Sequence, residues 1–194
     1  GQVLTSAVGD WDSEPLLDAR VGSASNSRVI YTFNSAGSRK NFDAASLSAT
    51  ELAYFANKGS LLGQYSALAT ADQAILNSSS AMVGFLRGDT ANLGTVFRDR
   101  QHVLGDTVHS KPIFVEAPTA DYTDAGYAAF KAAQASRIGT LYVGANDGMI
   151  HAFDETTGAE RWAYVPKLLM PNMYLLAEKF YLSGHRFFVD GEQV

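Results

Sequence analysis

The side chains in this sequence best suited to acid–base or metal chemistry are four histidines, His102, His109, His151 and His185. Imidazole titrates near neutral pH and is a common metal ligand. No two of the four have the i, i+4 spacing that sets both rings on one helix face, and His151 follows Ile150 in an extended run, where it is expected on one face of a sheet. Asp154 has the chemistry of a catalytic carboxylate. Its context, Asp154-Glu155-Thr156-Thr157-Gly158, is instead that of a turn: the carboxylate accepts amides two or three residues on, and Gly158 takes a positive φ without steric cost. Trp162 could stack on a quinone or a sugar, but at the end of a hairpin strand it is expected to bury its ring between neighbouring sheets. Arg87-Gly88-Asp89 is a tripeptide that integrin-type receptors read from an exposed loop, although Gly88 directly behind Leu86 also marks a helix stop. Asn77-Ser78-Ser79 fits the glycosylation sequon but lies inside a helical pattern. No Gly-rich phosphate loop or nucleophile elbow occurs, and no supported Ser-His-Asp order, so the sequence carries no enzyme motif.

Composition narrows the classes further. The chain has 194 residues, 46% of them hydrophobic and 18% charged, which suits one folded domain, or one with an appendage, and not a disordered chain. Fifteen basic against 20 acidic residues give a net charge of −5. No basic run exceeds Arg39-Lys40, so the footprint of a nucleic-acid binder is missing. The absence of cysteine excludes disulfides, thiol catalysis and thiolate metal sites. No run of about 18 apolar residues is present and no leader is visible, so a membrane span is not expected. Gly1 at the start and a strand-like pattern opening at Phe187-Phe188-Val189 suggest a piece of a longer protein.

Several elements would position these residues. Of the 17 serines, 14 lie before residue 81, whereas residues 139–194 hold 9 of the 22 aromatics, which divides the chain into two regions. The first, 1–100, is expected to be a helical and irregular lead-in with one strand at Arg28–Phe33. Ser48-Ala49-Thr50-Glu51 has capping-box spacing, and so does Thr70-Ala71-Asp72-Gln73. After the second box, Ile75, Leu76, Ser79, Met82, Val83 and Leu86 recur at helical steps, which predicts one helix ending at Gly88. Residues 121–137 predict a further helix, with Gly126 against it.

The second region, 101–194, is expected to be β. Thr140–Gly144, Met149–Phe153 and Glu160–Val165 form successive hairpin strands around Asn146-Asp147-Gly148 and the Asp154–Gly158 turn. Thr107–Glu116 adds a fourth, with Pro112 placing it at an edge or on a side whose amide no neighbour needs. The result is a four-stranded antiparallel sheet over about 107–166, followed by the start of another unit, because Val189-Asp190-Gly191 lies 81 residues after Val108-His109-Ser110. Four-stranded sheets repeated radially are blades of a β-propeller. The fold class expected is therefore mainly β with helical insertions: the first blade of an incomplete propeller and a helical N-terminal part.

Ala152-Phe153-Asp154-Glu155-Thr156-Thr157-Gly158-Ala159-Glu160-Arg161-Trp162, with Asp154, Gly158 and Trp162 at fixed spacing, resembles the tryptophan-docking repeat of quinoprotein-type propellers, and the wider string Val143-Gly144-Ala145-Asn146-Asp147-Gly148-Met149-Ile150-His151-Ala152-Phe153-Asp154, followed by Trp162-Ala163-Tyr164-Val165-Pro166, narrows the resemblance. That wider string resembles the PilY/PilC family of type IV pilus biogenesis proteins. Phe85-Leu86-Arg87-Gly88-Asp89, Phe97–Arg100, Leu104–Pro112 and His185–Gly191 agree with that family in the same order, so the resemblance covers about residues 80–194 and only loosely the part before.

The resemblance implies a non-catalytic protein, exported to the periplasm, outer membrane, pilus tip or cell surface of a Gram-negative bacterium, which supports pilus extension, adhesion and twitching motility. Its implied partners are pilins or minor pilins, a host-surface receptor, or a second copy through an open blade edge. Loops 117–138 and 166–185, long for blade connections, are the expected contact surfaces. Family propellers hold calcium in an acidic Asp-x-Asp-x-Asp loop. No such loop occurs here, so calcium is expected outside this chain, which is expected to hold no cofactor. Two rivals share the Asp-Thr-Gly-Trp repeat: a fragment of a quinone-dependent dehydrogenase and a structural outer-membrane scaffold propeller. Neither requires the stretch from Phe97 to Pro112.

Overall fold

A computed structural model describes residues 11–22 and 26–191. Asp12 caps α1 (Ser13–Asp18) by accepting the Glu14 amide, and a tight hairpin follows from β1 (Ile30–Phe33) to β2 (Arg39–Asn41). Asn34 closes that hairpin, its side-chain oxygen accepting the amides of Ala36 and Ser38. The expected capping box forms at α2 (Ala49–Leu52): Ser48 and Glu51 satisfy each other's backbone amides.

The helix expected from Thr70 to Gly88 is two helices, α3 (Thr70–Asn77) and α4 (Ser79–Arg87). Thr70 makes no capping bond; Ala69 holds that position. The break has a local cause. The Asn77 carbonyl accepts the Asn57 amide and its side chain the Gly59 amide, while Ser78 turns extended and caps α4 through Ala81. Gly88, at φ 116°, ends α4 as expected.

β3 is shorter than its pattern, Ile113–Val115, and α5 (Tyr127–Ala133) begins only after Gly126, whose φ of 86° is not helical. The hairpin strands β4 (Thr140–Ala145), β5 (Met149–Asp154) and β6 (Glu160–Tyr164) fall where expected, and α6 (Met170–Met173) follows.

One six-stranded sheet results, in the order β2-β1-β6-β5-β4-β3. β3 to β6 are the expected antiparallel blade strands. The addition is β1, which pairs parallel to β6 with Ile30 opposite Ala163 and Tyr31 opposite Tyr164, and β2 continues antiparallel beyond it. The edge of β6 is thus covered by the chain's own first hundred residues, which relieves an exposed ladder of unpaired amides. The outer strands that remain, β2 and β3, have three residues each.

Alternation along the strands gives the sheet two different faces. Ile30, Met149 and Ala163 join Phe42, Phe55, Leu76, Met82, Phe85, Phe97 and Met173 in one buried cluster under α2–α4 and α6. The opposite face presents Tyr31, Phe33, Ile150, Trp162 and Tyr164 along an open groove. Residues 166–185 are not the open loop their length suggested: Met170, Met173, Leu176, Ala177 and Tyr181 are buried in the core. The stretch at 185–191 forms no strand. It lies against the 106–109 segment instead, and the two similar tripeptides meet where Asp190 accepts the His109 backbone amide at 2.9 Å.

Candidate functional site

The chemistry-bearing side chains converge on the inner face of β5, at its turn with β4. His151 is fully buried, with Glu160 at 2.9 Å from Nδ1 and Asp147 at 3.0 Å from Nε2. Glu160 is also buried and accepts two bonds from Arg28, at 2.9 Å from Nε and 2.8 Å from Nη2. Arg28 in turn donates to the Arg87 carbonyl at 2.9 Å, tying the segment before β1 to the end of α4. At the far end Asp147 accepts the backbone amides of Gly105 and Met149.

The electrostatics make this row a clamp. Burial alone would push the His151 pKa down, but the charge and hydrogen bond of Asp147, with Glu160 behind them, raise it to about 9. Burial would raise Glu160; hydrogen bonds from His151 and Arg28 outweigh it and lower the carboxyl to about 2. Asp147 is lowered in the same way, against its burial, by His151 and Arg28. At neutral pH the row therefore holds two cations and two carboxylates. With both imidazole nitrogens donating to carboxylates, His151 has no lone pair for a metal or for abstracting a proton. The row fixes β5, β6, the 105–106 loop and the segment before β1 to one another.

The other histidines do not join it. His102 pairs with Asp18 at 2.8 Å, His109 with Asp190, and His185 with Asp106 at 3.0 Å. Hydrogen bonding to Asp18 raises the pKa of His102. Sequence reading placed His151 on one sheet face and missed its partners. Arg28 lies 132 residues from Glu160, and only the four-residue spacing of Asp147 and His151 across a turn was there to be noticed.

Asp154 sits in its turn with one carboxylate oxygen accepting from the amides of Thr156 and Thr157 and from the Thr157 hydroxyl. Gly158 follows at φ 70°. The Trp11 ring lies over it, close enough that a Cβ on Gly158 would come within 2.4 Å of a ring atom, and the indole N–H donates to the Glu155 carbonyl at 2.7 Å. Trp162 is half-buried, 5.7 Å from the Tyr142 ring and on the groove face. Gly158→Ala is expected to cost about 1–3 kcal/mol for the left-handed backbone alone, and more through displacement of Trp11. Urea unfolding checks this, and Trp11 fluorescence should shift with it.

Arg87, Gly88 and Asp89 are built into the end of α4. The Arg87 guanidinium donates to the carbonyls of Phe42 at 2.7 Å and Arg28 at 3.0 Å, and Asp89 accepts from Asn26 at 3.0 Å. Burial lowers the Arg87 pKa, and Gly88 itself is buried. The tripeptide therefore spends its hydrogen bonds joining α4 to the segment before β1 and to the residue that follows β2.

A calcium ion of the kind the resemblance implies does not fit the described residues. Asp121 is bonded to Lys131, the Asp147 oxygens serve His151 and two amides, and among the described residues no three His, Asp or Glu side chains gather as ligands. Nor, among them, is any helix long and apolar enough to cross a membrane.

Comparison with known proteins places this architecture. Residues 104–194 match the model of the PilY1 β-propeller domain. Over those residues the chain is similar to that domain family. A type IV pilus biogenesis factor PilY1 homolog of Xylella fastidiosa is 44% identical over 129 residues, covering 61% of this chain and 10% of that protein. The type IV pilus biogenesis factor PilY1 of Pseudomonas aeruginosa strain PAK is 30% identical over 193 residues, covering 95% of this chain and 16% of that protein. The chain thus spans a small part of the length of the curated relatives it matches. No solved structure matches it.

Proposed function

We propose that this chain is a non-catalytic scaffold segment of a type IV pilus biogenesis factor, which works by presenting a protein-contact loop from a rigid propeller blade. The observation that carries this reading is the match of residues 104–194 to the PilY1 propeller, joined to a blade whose buried row of Arg28, Glu160, His151 and Asp147 is fully paired. Pilus biogenesis is what the relatives' names record; for this chain, contact with pilins or minor pilins, support of pilus extension and twitching motility, adhesion and a place outside the cytoplasm belong to the proposal. So does the absence of a cofactor here, with any calcium held elsewhere in the propeller.

Of the two long connections, 117–138 suits contact. Tyr122, Tyr127 and Phe130 pack on one another with ring centres 5.0 and 5.9 Å apart, and Tyr122 and Phe130 are exposed. Lys131 holds the loop's other arm through the carbonyls of Thr119 and Ala120 and the Asp121 carboxylate. Amphipathic aromatics on a fixed loop are suited to protein contacts.

A chimera tests this, with the chain replacing the matched 193 residues of the P. aeruginosa factor in cells lacking that factor. It is expected to restore pilin sheared from the surface, and a Tyr122→Ala, Phe130→Ala double variant to reduce it at unchanged protein level. A chimera that is abundant and exported yet yields no surface pilin would overturn the proposal.

A further inference from the structure

The charge row leaves two arginines over. Arg98 and Arg100, two residues apart on the segment after α4, both line a small, partly open cavity of about 30 Å³ beside Leu86, Asp106, Asp147 and Tyr181. In each of them the Nε–H is buried and has no hydrogen-bond partner. The rest of each guanidinium does little to compensate: Arg98 lies 4.1 Å above the Tyr181 ring, and Arg100 lies 4.5 Å above the Phe85 ring and donates once to the Phe85 carbonyl.

The acidic groups around the cavity are already committed. Asp147 serves His151 and two backbone amides, Asp106 accepts from His185 and Asn146, Asp18 from His102 and the Val103 amide, and Glu160 from Arg28 and His151. The carboxylates of the cavity wall are bonded to other partners, and neither Arg98 nor Arg100 has an ion pair within 4 Å among the described residues. Burial pushes both guanidinium pKa values down, and the mutual repulsion of Arg98, Arg100 and Arg28 brings Arg100 to about 10. Buried donors without a partner are costly, and the cavity has room for one small occupant.

We infer that this cavity is a binding site for a halide-sized monoanion, received by the Nε–H groups of Arg98 and Arg100. A water molecule could accept one of those bonds but would leave both guanidinium groups without a counter-ion. An anion answers both, and it would brace the Phe97–Arg100 segment against α4 and Tyr181. The inference rests on the side chains of this chain and is independent of the pilus reading.

Two measurements test it. Crystals of the chain grown without halide and soaked in 50 mM bromide are expected to show an anomalous peak between the two Nε atoms. Melting at fixed ionic strength is expected to rise by about 2–4 °C when bromide or chloride replaces gluconate, and this gain is expected to vanish in Arg98→Gln, whereas general salt effects would act equally on the variant. A cavity showing only water at that bromide concentration overturns the site, as does a halide gain of the same size in Arg98→Gln. Should that variant fail to fold, the anomalous map on the native chain decides alone.

Discussion

Glu160→Ala is expected to destabilise the chain by about 3–5 kcal/mol, the loss typical of removing one partner from a buried ion pair. Glu160 is 3% exposed and its two oxygens receive Arg28 twice and His151 once. The variant leaves Arg28 desolvated beside the Met149 sulfur with only the Arg87 carbonyl to meet it. Urea unfolding measures the loss; Glu160→Gln, which keeps the shape, should cost less. A cost below about 1 kcal/mol would mean that the row is solvated.

The same row sets a pH window. His151, raised to about 9, contributes stability that is complete below its unfolded value near 6.5 and is lost as pH rises through 9. Glu160, lowered to about 2, contributes stability that is complete above about 4.5 and is lost as pH falls toward 2. Stability is therefore expected to plateau between about pH 4.5 and 6.5 and to decline on both sides, and to lose its alkaline limb in Glu160→Ala only in part, because Asp147 still faces His151.

Phe85→Ala is expected to cost a further 3–5 kcal/mol or so in its own right, within the range for deleting a buried aromatic ring. Phe85 is 1% exposed, stacks on Phe97 at 4.9 Å and lies under the Arg100 guanidinium. The cavity left would loosen the seat of α4 on the following segment. Phe85→Leu, which retains most of the volume, should cost less, and the difference in urea midpoints between the two measures the packing contribution.

What could be seen in the sequence was what is local. β4, β5 and β6 were legible because alternation and turn residues repeat within a few positions, and Ser48–Glu51 because a capping box is complete in four. The Asp154 turn was legible for the same reason. The split of α3 from α4 was not, since the Asn77 carbonyl and side chain are taken by Asn57 and Gly59 from another part of the chain. β1 was visible as a strand, but its parallel seat on β6 depends on a partner more than 130 residues away, for which no spacing rule exists. The charge row was hidden in the same way: Arg28, Asp147, His151 and Glu160 are ordinary residues until the sheet brings them together. Residues 166–185 misled by their length, because short helical turns bury Met170, Met173 and Leu176 without a long periodic pattern.

β1 is an integral strand of the sheet, paired to β6 and held there by Arg28 and Glu160, which makes the blade a rigid support for its loops. Native-state amide hydrogen exchange tests this most directly. The Ala163 and Val165 amides, which donate to the carbonyls of Val29 and Tyr31 at 2.9 Å, are expected to be as protected as those at the centre of β5. If they exchange as fast as the amides of loop 117–138 while β5 stays protected, β6 is an open edge and the first hundred residues do not complete the blade.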